Sequence, residues 1–170
     1  MHKLRYIKLL LIAVAMLGVF GVSAAVNLNS RTHLSGDEEV PVRVTNGQGE
    51  AIFKLSEDGT ELSYKLIVAN IDNVVQAHIH LGQPGVNGNI VVFLYGLVAP
   101  AGGRTDGVLA EGTITSADLI NDLAGQPLSV LVAEMQAGNT YVNVHTNDGV
   151  APANTGPGDF PGGEIRGQID

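Results

Sequence analysis

The chain has 170 residues, 45% of them hydrophobic, and no cysteine. That length suffices for one domain with its own core, and the missing thiols exclude disulfides, thiolate metal ligands and cysteine nucleophiles. With 17 acidic against 9 basic residues the formal charge is −8, a balance that repels nucleic acid phosphates and anionic membranes and favours cations and basic partners.

Residues 1–25 read as a secretory signal peptide. A basic stretch, Met1 to Lys8, precedes an apolar run from Leu9 to Val22, and Ser23-Ala24-Ala25 supplies the small residues that a signal peptidase needs. Cleavage is expected after Ala25. The alternative is an uncleaved anchor, for which the run is short against the ~20 residues of a membrane span. No second apolar span follows, and no cysteine opens the mature region as a lipoprotein would require. Losing Lys3, Arg5 and Lys8 leaves 6 basic against 17 acidic residues, a formal charge of −11.

The folded domain is expected over residues 26–170, and its 22 glycines with abundant Val, Ile and Leu point to many short strands joined by turns. Arg31–Ser35 reads as an edge strand, followed by an acidic turn at Gly36-Asp37-Glu38-Glu39. Glu50–Leu55 alternates, with Ala51, Phe53 and Leu55 on one face. Asp58-Gly59 then signals a hairpin, and Leu62, Tyr64, Leu66 and Val68 form the inward face of the return strand. Such alternation implies an antiparallel sheet with one face buried.

Ile90–Tyr95 is nearly continuous in apolar residues and is expected either buried on both faces or at the sheet centre. Val108–Thr115 is a further strand. Two short helices are expected near 117–124 and 128–137: Ser116 suits an N-cap, Pro127 a first turn, and Leu128, Leu131, Val132 and Met135 make an amphipathic stripe. Residues 147–163 form a long Gly/Pro/Asn/Asp loop, in which Asp148 and Asp159 suit turns and lack the spacing of an EF-hand. In the last strand Ile165 and Ile169 face inward and Glu164, Arg166 and Gln168 outward, with Arg166 expected to pair with a carboxylate.

The residues that carry chemistry lie on two strands. In Ala77-His78-Ile79-His80-Leu81 the histidines share one face, with Cα atoms ~6–7 Å apart. In Tyr141-Val142-Asn143-Val144-His145-Thr146 the face opposite the valines carries Tyr141, Asn143 and His145. If the two strands are neighbours with these faces on the same side, His78, His80 and His145 converge on one cation. Three neutral imidazoles suit copper or zinc, with Asn143 placed to orient a ligand and Tyr141 beside it. Proton competition is expected near the ~6.5 of an unperturbed imidazole. The alternative is a polar patch for an extracellular protein or glycan. For zinc-assisted hydrolysis a base is required, and Glu164 and Asp148 are candidates that the sequence alone does not place. No catalytic triad, nucleophile elbow or paired-carboxylate signature is present.

Three ordered motifs carry a resemblance: Leu34-Ser35-Gly36-Asp37-Glu38-Glu39-Val40-Pro41; Ala77–Gly82 continued by Pro84–Leu94; and Tyr141–Thr146 continued by Pro161–Ile169. They resemble the CHRD domain, the module named after chordin, over nearly all of the chain after residue 30. The resemblance implies an extracellular, mainly β module, expected here as a single antiparallel β-sandwich or Greek-key barrel with the two short helices. It implies little chemistry, although chordin itself binds signalling proteins. The His-x-His strand with a later strand histidine is also similar, in part, to the copper site of Cu/Zn superoxide dismutases. The bridging histidine and His-rich zinc loop of those enzymes are missing here.

Overall fold

A computed structural model describes residues 27–170, so the signal-peptide reading lies outside the described residues. The described residues form eight strands: β1 (Asn29–Ser35), β2 (Gln48–Leu55), β3 (Leu62–Asp72), β4 (Val74–Leu81), β5 (Asn89–Gly96), β6 (Arg104–Ile114), β7 (Thr140–Thr146) and β8 (Ile165–Ile169). One α-helix, α1 (Leu128–Gln136), lies between β6 and β7. All neighbours are antiparallel, in the order β5-β4-β7-β8-β1-β2-β3-β6. The sheet curls until its two ends approach. Across that seam the Tyr64 hydroxyl donates to the Leu94 carbonyl at 2.7 Å. The expected antiparallel β architecture is therefore present as a nearly closed barrel.

Alternation builds the interior. Ala51, Phe53 and Leu55 of β2, Leu62, Leu66 and Val68 of β3, Ile79 of β4, Val142 and Val144 of β7, and Ile165 and Ile169 of β8 join one buried cluster. The hairpin between β2 and β3 is held by Asp58, whose Oδ1 accepts from the Ser56 hydroxyl and from the amide and hydroxyl of Thr60. Helix α1 adds its stripe of Leu128, Leu131, Val132 and Met135 to the cluster. Beyond its C-terminal residue the Gly138 amide donates to the Met135 carbonyl, and Gly138 takes a positive φ of 68°, the usual way a helix ends.

Four expectations change. The helix near 117–124 is instead a pair of single 3₁₀ turns, Ser116–Asp118 and Asn121–Leu123. Between them Ile120 is extended and gives its amide to the Val91 carbonyl, and Asn121 has φ 49°, so the helical path is broken. Thr115, rather than Ser116, caps the first turn, reciprocally with Asp118. β1 is an interior strand, paired to β2 and β8. β5 is a terminal strand, with Phe93 48% exposed. Its apolar run reflects contact with the interior on one side and with the histidine layer on the other, where the Phe93 ring meets His78 edge-on at 4.5 Å.

The outer face of β4, β7 and β8 is not open to solvent. Residues 36–47, 82–88 and 147–163 fold over it, and beneath them lie His78, His80, Asn143, His145, Glu164 and Arg166, all buried. This polar layer, outside the apolar interior but under a loop cover, is where the site forms.

Candidate metal centre

Register brings the two histidine strands together. In the β4–β7 ladder His78 faces Asn143, His80 faces Tyr141 and Gln76 faces His145, so the histidine faces agree. The β4–β5 ladder shifts register between Ala77 and His78 and again between Ile79 and His80. Such irregularities re-aim side chains and concentrate near functional positions. His78, His80 and His145 are 0%, 7% and 6% exposed. They each offer a ring nitrogen, all within 4.8 Å of one another, and form the one such cluster of metal-ligating groups among the described residues.

Two tautomers follow from geometry. Nδ1 of His80 lies 2.9 Å from the Gly88 carbonyl, and Nδ1 of His145 lies 2.8 Å from the Pro161 carbonyl. A carbonyl only accepts, so both Nδ1 atoms carry the proton and both Nε2 atoms present lone pairs. Metal-ligating histidines are held in this way by a partner on the other nitrogen. Nε2 of His80 has no partner at all. Nε2 of His145 faces Nδ1 of His78 at 3.1 Å and Oδ1 of Asn143 at 2.9 Å. Because Nε2 of His145 is an acceptor, Nδ1 of His78 donates to it, and Nε2 of His78 is left buried and unpaired. With the His78 proton moved to its Nε2, Nδ1 of His78 and Nε2 of His145 would stand as ligands 3.1 Å apart, close to the about 3.3 Å between neighbouring ligand nitrogens at bonds of ~2.0–2.1 Å and tetrahedral angles. The donor set fits a borderline-soft divalent ion.

Burial dominates the electrostatics. It pushes the His78 imidazole down to about 3, with the nearby His145 and His80 adding to the shift. His145 falls to about 4, again by burial, opposed by its bond to the Pro161 carbonyl. His80 is lowered by burial, opposed by the Gly88 carbonyl and Asn143, while the Arg166 charge adds to the lowering. The three rings are neutral at neutral pH, the form that binds metal.

Tyr141 stacks on His80, with centroids 4.8 Å apart and planes 7° from parallel, and its hydroxyl accepts from the Gly88 amide at 3.1 Å. Gly88 thus ties both rings through its two backbone groups, and a Cβ there would collide with the Leu81 carbonyl. The Arg166 guanidinium lies 3.4 Å over the Tyr141 ring. The expected carboxylate partner of Arg166 is not there. Its nitrogens donate to Asn87 Oδ1 and to the Val86 and Gln83 carbonyls at 3.0–3.3 Å, which lashes the 82–88 cover to β8. Arg166 is buried and not outward because that cover crosses it.

Glu164 and Asp148 are engaged in structural hydrogen bonds. The Glu164 oxygens accept from the Thr45 and Thr146 hydroxyls and the Gly158 amide, and Asp148 closes a turn to Val150. The residue that sequence reading passed over is Glu39, read there as part of a solvated turn. It is 4% exposed, and its Oε1 has no hydrogen-bond partner. Burial raises its carboxyl to about 7 against the pull of Arg166, Arg43 and the Val40 amide. The one available signal was its position, last of three acids and directly before Val40-Pro41.

The molecule is thus an antiparallel β-barrel module with a covered histidine cluster on its outer face. The chain belongs to the CHRD domain family, whose model matches residues 30–169. No curated protein and no solved structure matches it. Among the described residues no helix is long and apolar enough to cross a membrane.

Proposed function

We propose that this CHRD domain is a secreted, non-enzymatic module that holds one copper or zinc ion with His78, His80 and His145. What supports the reading most is the buried, unpartnered Nε2 of His80, with His80 and His145 each oriented by a backbone carbonyl on Nδ1. Leaving an imidazole lone pair buried without a partner costs stability, and an ion between the rings removes that cost. Tyr141 holds His80 by stacking, and the Asn143 amide lies 2.9 Å from the His145 Nε2 edge. Bound there, the ion would supply Lewis acidity or, as copper, a redox centre. The side chains themselves orient the donors and exclude water. Their burial also speaks against a histidine patch for a protein or glycan, which requires accessible rings. The acidic charge of the chain favours cation capture.

The test is calorimetry with Cu²⁺ and Zn²⁺ on protein purified without an affinity tag, alongside His80→Ala. One ion per chain and a loss of about tenfold to a hundredfold in affinity in the variant are expected. Equal affinities overturn the reading.

A further inference from the structure

The proposal that follows rests on the metal reading above and concerns a residue outside the three ligands. Glu39 comes from the cover, yet its carboxyl reaches the same polar layer. A Cβ on Gly163 would collide with Glu39 Oε1 and come within 2.9 Å of Asn143 Nδ2. Both side chains therefore crowd the same face of Gly163, Glu39 from the cover and Asn143 from β7. The other atom of that amide, Oδ1, is 2.9 Å from Nε2 of His145. The charged and titratable groups facing Glu39 are Arg166 from β8, Tyr141 from β7 and Arg43 from its own loop, while Glu38 lies within the field of Arg166. None of these forms an ion pair with Glu39. A carboxyl that is 4% exposed with an unpartnered oxygen has no protein contact that rewards ionisation enough.

We propose that Glu39 is the proton-exchanging group of the centre: a divalent cation entering between His78, His80 and His145 expels the Glu39 proton to solvent, and the resulting carboxylate balances the cation from beyond the Asn143 amide. The balance is simple. The cation adds two positive charges to a layer whose rings are already neutral, and one proton leaves. Nothing is oxidised or reduced. With its carboxyl poised at about 7, Glu39 holds this proton in part at neutral pH and releases it to a modest field.

The experiment is calorimetric titration of the full chain with Zn²⁺ in two buffers of different ionisation enthalpy, at pH 7 and pH 8.5, for the wild type and Glu39→Gln. The slope of measured heat against buffer enthalpy counts protons. The wild type is expected to release approaching half a proton per Zn²⁺ at pH 7 and almost none at pH 8.5, where Glu39 is already ionised. Glu39→Gln is expected to bind one Zn²⁺ with no comparable release at pH 7. For one pKa unit of coupling the affinity ratio of wild type to variant should grow by about fivefold from pH 6 to pH 8.5; a purely structural role for Glu39 would leave that ratio flat. Equal release by both proteins at pH 7, or wild-type release undiminished at pH 8.5, overturns the inference while leaving the centre intact. Absence of zinc binding in the wild type overturns the centre and the inference together. If Glu39→Gln does not fold, the wild-type comparison between the two pH values decides.

Discussion

Acidifying the metal-free protein sets the buried groups against one another, and the balance is calculable. His78 and His145 are held at about 3 and about 4 in the fold, against ~6.5 in the unfolded chain. As pH falls the unfolded state takes up protons first, so stability drops from about pH 6.5 downward. Between pH 8 and pH 5 each ring costs about 2 kcal/mol, or about 4 kcal/mol for the pair, and His80 acts in the same direction. Glu39 runs the other way. Its carboxyl sits at about 7 in the fold against 4.5, so the folded state takes the proton first and gains about 2.5 kcal/mol over the same interval. Glu39→Gln removes only this gain. Urea unfolding of chelator-treated protein at pH 8, 7, 6 and 5 should therefore show the variant losing about 2.5 kcal/mol more than the wild type, most of it between pH 7 and pH 5. All other titrating groups cancel in the comparison. Parallel profiles for the two proteins would refute the placement of a protonated carboxyl in the layer.

Zinc should stay bound at pH 5.5, where free imidazoles are mostly protonated, because burial holds His78 and His145 at about 3 and about 4 and also lowers His80; metal content after dialysis at pH 5.5 checks this. Gly163→Ala should cost about 2 kcal/mol or more, since φ is 124° and the methyl meets Glu39, and thermal melting reads it. Arg166→Met should cost about 2–4 kcal/mol by leaving the Val86 and Gln83 carbonyls without their donor, and limited proteolysis should then cut within 82–88 first. Leu131→Ala should cost about 2–5 kcal/mol in urea unfolding, as a fully buried side chain of the interior.

The interior was legible because it follows period-two alternation: Ala51, Phe53 and Leu55, then Val142 and Val144, land where the pattern puts them. The convergence of His78, His80 and His145 was legible only as a condition, since the facing of β4 and β7 is a topological fact that no local pattern states. Arg166 and Glu39 were misread for one shared reason. Alternation tells which side of a sheet a residue takes, and an outer side normally means water. Here loops from three separate parts of the chain roof that side, and a roof leaves no periodic trace in sequence. The missing helix near 117–124 had the right composition, but the Ile120 amide found a better partner on β5.

The seam between β5 and β6 bears on how a cation would reach the proposed site. β5 and β6 share no backbone ladder, and the gap is bridged by the Tyr64 hydroxyl of β3 reaching the Leu94 carbonyl of β5, whereas β4–β5, β4–β7 and β7–β8 are laced by ladders. Breathing of the cylinder starts at such a boundary, and strands laced on both sides open last. β7 is laced to β4 and β8, and β4 to β5 and β7, so the histidines stand on strands that part late. An ion held as proposed would then exchange through the 36–47, 82–88 and 147–163 cover rather than through the barrel, and its residence time would report on that cover.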